Sequence, residues 1–268
     1  MEHIFKDKWK DIKENQDSDE KSLFVLKGKL PKTQRQINLY WYHKFYETIV
    51  QGKNYKNALE LGCGRGTLSL YLNKYNNLDV SLLDMSADAI DVAKKNFMQH
   101  NAVGNFFISG ANSLPFNDNS FDIVHSIGLL EHIDNYKDIL KEAIRVLKPG
   151  GVLISLNIPT KWSIQRINNL YKWFVGIFTG NYHIQKDYHR NNDGPEEYLK
   201  NAKDVGFKDA YVVNVCPLPI FVPISIKTDK KIAKVYNFII KVRSFFMRYP
   251  FKTNYSISQG HFLVAYKK

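Results

Sequence analysis

An open α/β sheet of mostly parallel strands, with helices on both faces, is the fold class this chain predicts. Three observations predict it: short apolar runs alternate with segments of helical periodicity, a glycine-rich turn joins the first such pair, and the alternation persists to Leu156. Before the alternation, residues 34–49 place Ile37, Tyr40, Trp41, Phe45 and Ile49 on one helical face, which we expect to act as a lid over a ligand entrance. A first strand runs to Leu61, and a helix follows over Thr67–Tyr75. Val80–Asp84 is a second strand leading to a helix over Ser86–Asn96, and Phe121–Ser126 reads as a fourth strand. Lys148–Gly151 turns the chain into a fifth strand, Val152–Leu156. Near the end, Glu196–Val205 is a helix stopped by Gly206, and Ala210–Val215 and His261–Tyr266 are strands.

The turn carries the chemistry. In Ala58-Leu-Glu-Leu-Gly-Cys-Gly-Arg-Gly-Thr67, glycine at alternate positions permits a tight bend and lets a ligand lie against the peptide plane. The third glycine is Gly66 rather than residue 67, so the G-x-G-x-x-G spacing of dinucleotide sites is absent. Glu60 adds a negative charge that repels a pyrophosphate and attracts a cation. The loop therefore suits S-adenosylmethionine (SAM), which carries a sulfonium and an ammonium, better than NAD or ATP. Asp84 ends the second strand about 20 residues on, the separation at which such folds present a carboxylate to a ribose. A helix N-cap is its alternative role, one that Ser86 also fits.

Further along stand Leu114-Pro-Phe116, Ser120-Phe-Asp122, Glu131-His132 and Leu147–Gly151. With the glycine turn, in this order and spacing, they make residues 57–159 resemble the class I SAM-dependent methyltransferases, in particular their broad small-molecule branch. The resemblance implies a Rossmann-like doubly wound seven-stranded sheet, mostly parallel with an antiparallel last strand. It implies Glu60, Gly62, Cys63, Gly64 and Gly66 around the methionine end of SAM, with Asp84 and Met85 at the ribose and adenine edge. Ala111, Asn112 and Ser113 would lie beside the adenine, and Ser126 and Ile127 at the mouth after strand four. The family often has an acid before the alanine that precedes Leu-Pro-Phe. This chain has Gly110-Ala111 instead, so Asn112 or a backbone carbonyl has to meet the adenine amino group.

At 268 residues and 44% hydrophobic content the chain can bury a large core. Residues 1–20 are charged and polar, without the apolar core of a signal peptide, and no run reaches the roughly 18 apolar residues of a spanning helix. A cytoplasmic protein is expected. Cys63 and Cys216 are the only cysteines, which points to two reduced thiols, with Cys63 a small filler of the loop. Glu131 and His132 are too few for a metal site, and no metal is expected.

Domain boundaries follow from the same register: a leader and lid helix over 1–50, then a methyltransferase domain over 51–268 with inserts at 160–192 and 217–259 that build a helical cap. The first insert carries five cations against Asp187 and the second eight against Asp229, so together they hold all but one of the formal +12 charges. Each contains an apolar helical stripe: Ile164, Ile167, Tyr171, Phe174 and Phe178 in the first, with Trp162 and Trp173 added. In the second, Ile232, Val235, Ile239, Val242 and Phe246 are joined by Phe238 and Phe245, with lysines on the opposite side. Three partners fit such helices. They are the enzyme's own core under a substrate cap, an anionic membrane surface on the inner face, and RNA.

Methyl transfer asks mainly for in-line positioning and exclusion of water, with a base only when the acceptor must lose a proton. His132 follows strand four at the open end of the sheet and is the candidate base. Its alternative is a structural histidine bonded to a neighbouring loop. Tyr182, His183, Tyr188 and His189 form a candidate acceptor-facing group. The expected function is methyl transfer to an oxygen, nitrogen or carbon of a lipophilic or extended small molecule. An RNA (tRNA) methyltransferase, and a SAM-binding regulatory or scaffold protein without turnover, are the alternatives.

Overall fold

A computed structural model describes residues 9–10, 22–158, 162–180, 189–214, 226–251, 255, 258 and 260–268. Its centre is a seven-stranded sheet of order β3-β2-β1-β4-β5-β7-β6. The strands are β1 (Asn57–Leu61), β2 (Asp79–Asp84), β3 (Asn105–Ile108), β4 (Phe121–Ile127), β5 (Leu147–Asn157), β6 (Asp209–Val213) and β7 (His261–Tyr266). The first five are parallel, and β7 runs antiparallel between β5 and β6. The helices are α1 (Gln34–Val50), α2 (Thr67–Asn76), α3 (Ala87–Gln99), α4 (Lys137–Val146), α5 (Trp162–Thr179), α6 (Pro195–Asp204) and α7 (Ile226–Phe246).

Strands buried on both faces read as continuous apolar runs, and that is why the sequence located them. Along β1, Ala58 joins the core under α1, α2 and α3, whereas Leu59 and Leu61 join the one under α4 and α6. The first core holds Tyr46, Tyr71, Phe97 and Phe262; the second holds Tyr136, Ile139, Tyr198 and Phe207. Burying such side chains contributes about 1.5–3 kcal/mol apiece, so both helical layers are held by the sheet.

Several expectations are corrected. The helix expected as a lid, α1, is instead part of the sheet-covering layer: Phe45 stacks on Phe262 with ring centroids 4.5 Å apart, and Tyr46 packs edge-on against His125. Its buried side is wider than the expected stripe: Phe45 and Ile49 are joined by Tyr42 and Tyr46, which the single-stripe reading left out. Only its N-terminal half is left to meet α7, where Gln34 donates from its backbone N–H and its Nε2 to Asp229 and Asn237 donates to the Pro31 carbonyl. β5 begins earlier than Val152, because Leu147 already pairs with Phe121 ahead of a register shift.

The largest correction concerns α7. The side that docks on α1 and Phe251 is Ala233, Tyr236 and Ile240; of the stripe read from the sequence Ile232 packs against that cluster, while Val235, Phe238, Ile239, Val242, Phe245 and Phe246 are exposed, which goes against the core as their partner. Val215 and Cys216 lie outside the described residues. Among the described residues no helix is long and apolar enough to cross a membrane.

Candidate active site

Strands β1, β2 and β4 end on the same side of the sheet, and β1 and β4, its central neighbours, form the switch point where ligands bind in doubly wound folds. The chain leaves β1 through Gly62, Gly64 and Gly66, all with positive φ (64°, 51° and 61°). The Gly66 N–H bonds the Cys63 carbonyl at 2.8 Å, closing a turn that launches α2. Cys63 is buried, and burial pushes its thiol well up, which keeps it neutral and fits a filler rather than a nucleophile.

Two carboxyls frame this loop. Glu60 Oε2 accepts from the Ser69 N–H at 3.3 Å, in the first turn of α2. Glu60 is 3% exposed, and burial, with the nearby Asp84 charge adding to it, lifts its carboxyl to about 7. A cation brought beside such a group draws it into the carboxylate form. Asp84 works as a clasp: Oδ2 accepts from the Gly64 N–H at 3.0 Å and Oδ1 from the Ser86 N–H at 2.9 Å. The helix N-cap is Ser86, whose hydroxyl accepts from the Ala89 N–H at 3.3 Å. The cap role weighed for Asp84 is therefore taken, and its carboxylate ties the end of β2 to the glycine loop.

Of the residues expected beside an adenine, Met85 is half exposed, Ala111 is partly buried, and Asn112 and Ser113 are exposed. A Cβ on Gly110 would lie 2.8 Å from Asn112 Oδ1, so the carboxamide oxygen fills the place where an acidic side chain is missing. On the other side, Ser126 is buried, its hydroxyl in a chain through Ser155 to Asn157 Oδ1, each step 2.9 Å, while Ile127 is partly buried.

Sequence reasoning missed one neighbour of the loop. A Cβ on Gly64 would come within 2.6 Å of the Trp9 indole, which therefore lies against the glycine turn. The leader reads only as charged and polar, and a single tryptophan in it carries no periodic signal.

After β4 a short 3₁₀ turn, Leu130–His132, presents Glu131 and His132. His132 Nδ1 donates to the His189 carbonyl at 2.6 Å, since a carbonyl can only accept, so in the neutral ring Nε2 is the basic nitrogen. His189 Nε2 meets Asp134 Oδ1 at 2.7 Å. The structure thus joins His132 and His189; Tyr182, His183 and Tyr188 lie outside the described residues. Asn191 stitches the same segment down, its Nδ2 donating to the Leu130 and Ile133 carbonyls and its N–H to the Glu131 carbonyl.

Glu131 itself is buried, and burial lifts its carboxyl to about 7 against the lowering effect of the Arg190 charge. Its Oε1 accepts from the Ile158 N–H, whereas Oε2, Arg190 Nε and Asn157 Nδ2 are buried without a hydrogen-bond partner. Such groups are costly to leave unsatisfied. They give the end of β5 and the turn after β4 a polar interior. Sequence spacing offered no sign of it, because Arg190 and Asn191 reach the turn from an insert. Among the described residues no three His, Cys, Asp or Glu side chains gather as metal ligands.

A glycine turn at the switch point, with one buried acid under it and a second clasping it, defines an α/β enzyme that binds an adenosyl group beside a cation. Residues 59–155 match the family model described as a methyltransferase domain. The demethylmenaquinone methyltransferase of Thermotoga maritima is 25% identical over 183 residues, covering 64% of this chain and 78% of that protein. The fatty-acid O-methyltransferase of Mycolicibacterium smegmatis is 30% identical over 132 residues, covering 48% and 47%. The chain thus spans about half the length of that second relative. Among solved structures, phosphoethanolamine N-methyltransferase 2 of Haemonchus contortus, in complex with SAM, superposes with a TM-score of 0.54 at 20% identity, covering 84% of this chain and 51% of that one. A likeness at that identity speaks to the fold. Residues 59–155 are thus a methyltransferase domain, and the chain is similar to SAM-dependent methyltransferases that act on small molecules.

Proposed function

We propose that the chain transfers a methyl group from SAM to a small acceptor that is lipophilic and carries one polar end. The observation that carries this reading is the partnerless polar set at the β5 end, Glu131 Oε2, Arg190 Nε and Asn157 Nδ2, standing beside the glycine loop's apolar neighbour Leu129. Leu129 reaches to 3.0 Å of a Cβ built on Gly62, so an apolar side chain lies against the loop. Relatives named for quinone and fatty-acid methylation support an acceptor of that character.

The residues divide the work. Glu60 and Asp84 hold the donor by charge and orientation, Asn112 stands at the adenine edge, and Trp9 and Leu129 exclude water from the loop. When bound there, SAM supplies a methyl group already activated on a sulfonium. The chain has only to orient the acceptor and take up its proton where one is lost.

His132 Nε2 is the group proposed to take that proton. We expect His132→Ala to lower kcat about 10²–10⁴-fold and to abolish the acidic limb of the pH–rate profile, with the binding of S-adenosylhomocysteine unchanged. An unaltered rate across pH would leave His132 as a fastener of the 189–191 segment.

The acceptor class is tested by incubating the purified protein and methyl-labelled SAM with quinone, fatty-acid and tRNA fractions. Label in a quinone or fatty acid, identified by mass, supports the reading. Label in tRNA alone moves the function to RNA, and SAM binding without any labelled product moves it to a regulatory role.

A further inference from the structure

We propose that the outward side of α7 is a docking surface for an anionic lipid bilayer. The inference stands on the surface alone and holds whatever the acceptor is. α7 carries two apolar stripes and buries one of them, Ala233, Tyr236 and Ile240. The second, Val235, Phe238, Ile239, Val242, Phe245 and Phe246, falls at helical spacing and stays exposed, with Phe238 at 67%, Phe245 at 86% and Phe246 at 77%. It makes a continuous ridge of about 16 Å at 1.5 Å per residue. A contiguous apolar surface of this kind marks an interaction site rather than a scattered exposure.

Charge selects the occupant. Lys227, Lys230, Lys234 and Lys241 follow one another at intervals of three, four and seven residues, so they form one row along a flank of the ridge. The helix has a single acid, Asp229, and Gln34 engages it on the side toward α1. The ridge with its lysine row is the pattern of a helix lying in the interface plane, aromatic side chains in the acyl boundary and ammonium groups among acidic headgroups. α5 repeats the apolar part of the pattern, with Leu170, Trp173, Phe174, Ile177 and Phe178 exposed at the same kind of spacing. A second copy of the chain fits less well, because antiparallel self-pairing on the ridge sets the lysine row against its own image. RNA satisfies the lysines and leaves the aromatic ridge without a partner. Both helices belong to segments that leave or rejoin the sheet at the Asn157–His261 pair, the end that also carries Glu131. Docking there brings the acceptor side of the enzyme to the membrane.

The test is flotation of the full chain with phosphatidylcholine vesicles, with and without about a third of phosphatidylglycerol. Because each basic residue near such a surface contributes on the order of a tenfold or smaller factor, the anionic vesicles are expected to retain at least ten times more protein, and added salt to weaken the retention. The combined change Phe238→Ser, Phe245→Ser, Phe246→Ser is expected to abolish it, and Lys→Gln at 227, 230, 234 and 241 to remove the preference for anionic lipid. All seven side chains are exposed or half-exposed, so unchanged binding of S-adenosylhomocysteine serves as the control for folding. Absence from both vesicle types overturns the proposal. So does a dimer in light scattering that the phenylalanine changes dissociate, which assigns the ridge to a second copy. tRNA retention that depends on the lysines, with no flotation, assigns it to RNA.

Discussion

Gly66→Ala is expected to unfold the protein on the order of 10 °C earlier than the native chain, with little specific effect on the donor, and Gly64→Ala to do the opposite. Both glycines sit in one turn at positive φ, so an L side chain at either pays roughly 1–2 kcal/mol for the left-handed conformation. They differ in what a Cβ would meet. At Gly66 it comes within 2.3 Å of Leu82 Cδ2 and 3.3 Å of Phe97 Cε2. Leu82 is fully buried in the core beneath α2 and α3 and cannot swing aside without moving Phe97. Overpacking of that sort costs about 1–3 kcal/mol, and each kcal/mol lowers the melting temperature by about 2–4 °C in a domain of this size. At Gly64 the Cβ meets the Trp9 ring at 2.6 Å, on the outer side of the loop, where a partly buried indole can shift. The outcome there is a modest loss of stability and a tenfold or larger loss of affinity for S-adenosylhomocysteine. Thermal unfolding and calorimetry on the two variants check the pair. Equal melting temperatures with the affinity loss at Gly66 would show that the two faces of the turn have been exchanged.

The contrast also explains what could be read from the sequence and what could not. Four parallel strands, β1, β2, β4 and β5, were legible because burial on both faces leaves an uninterrupted apolar run, as in Leu82-Leu83, and because local turn chemistry at Gly62–Gly66 and Lys148–Gly151 punctuates them; β3, half-buried to exposed along its length, was given no range. The donor loop was legible for the same reason: its residues lie next to each other in the chain, and their positive φ values demand glycine. The acceptor side was not. Arg190 and Asn191 approach Glu131 across some 60 positions, and nothing at either end of that contact marks the other. Trp9 meets Gly64 in the same long-range way. In α7 the failure was of another kind. Periodicity identifies a stripe but does not say which stripe is buried when a helix has two, and the small residue Ala233 let the less apolar-looking face pack more closely on Ile37 and Phe251. In α1 the single-stripe reading turned a sheet-covering helix into an expected lid.

Glu60→Gln is expected to weaken donor binding about tenfold to a hundredfold while stabilising the ligand-free protein above neutral pH. The sign follows from burial. The carboxyl titrates near 7 in the folded chain and near 4.5 when unfolded. Between those values the folded protein holds a proton that the unfolded chain has lost, so stability from this group is fully present below about 4.5, falls as pH rises, and is gone above about 7. The carboxamide of the Glu60→Gln variant does not titrate and carries no such dependence. The difference between the two unfolding curves against pH isolates Glu60 from Glu131, which titrates near 7 for a similar reason. A cationic ligand works in the reverse direction, because it holds the carboxylate form, and a hydrogen bond to a charged group contributes roughly 1.5–3 kcal/mol. Binding at pH 6–7 must then expel a proton. Calorimetry of S-adenosylhomocysteine, whose ammonium is retained, should show a heat that scales with the ionisation enthalpy of the buffer for the native chain and a buffer-independent heat for Glu60→Gln. A native chain whose binding heat ignores the buffer, or a variant that binds as tightly, would mean that the acid under the glycine turn serves only to cap α2 through the Ser69 N–H.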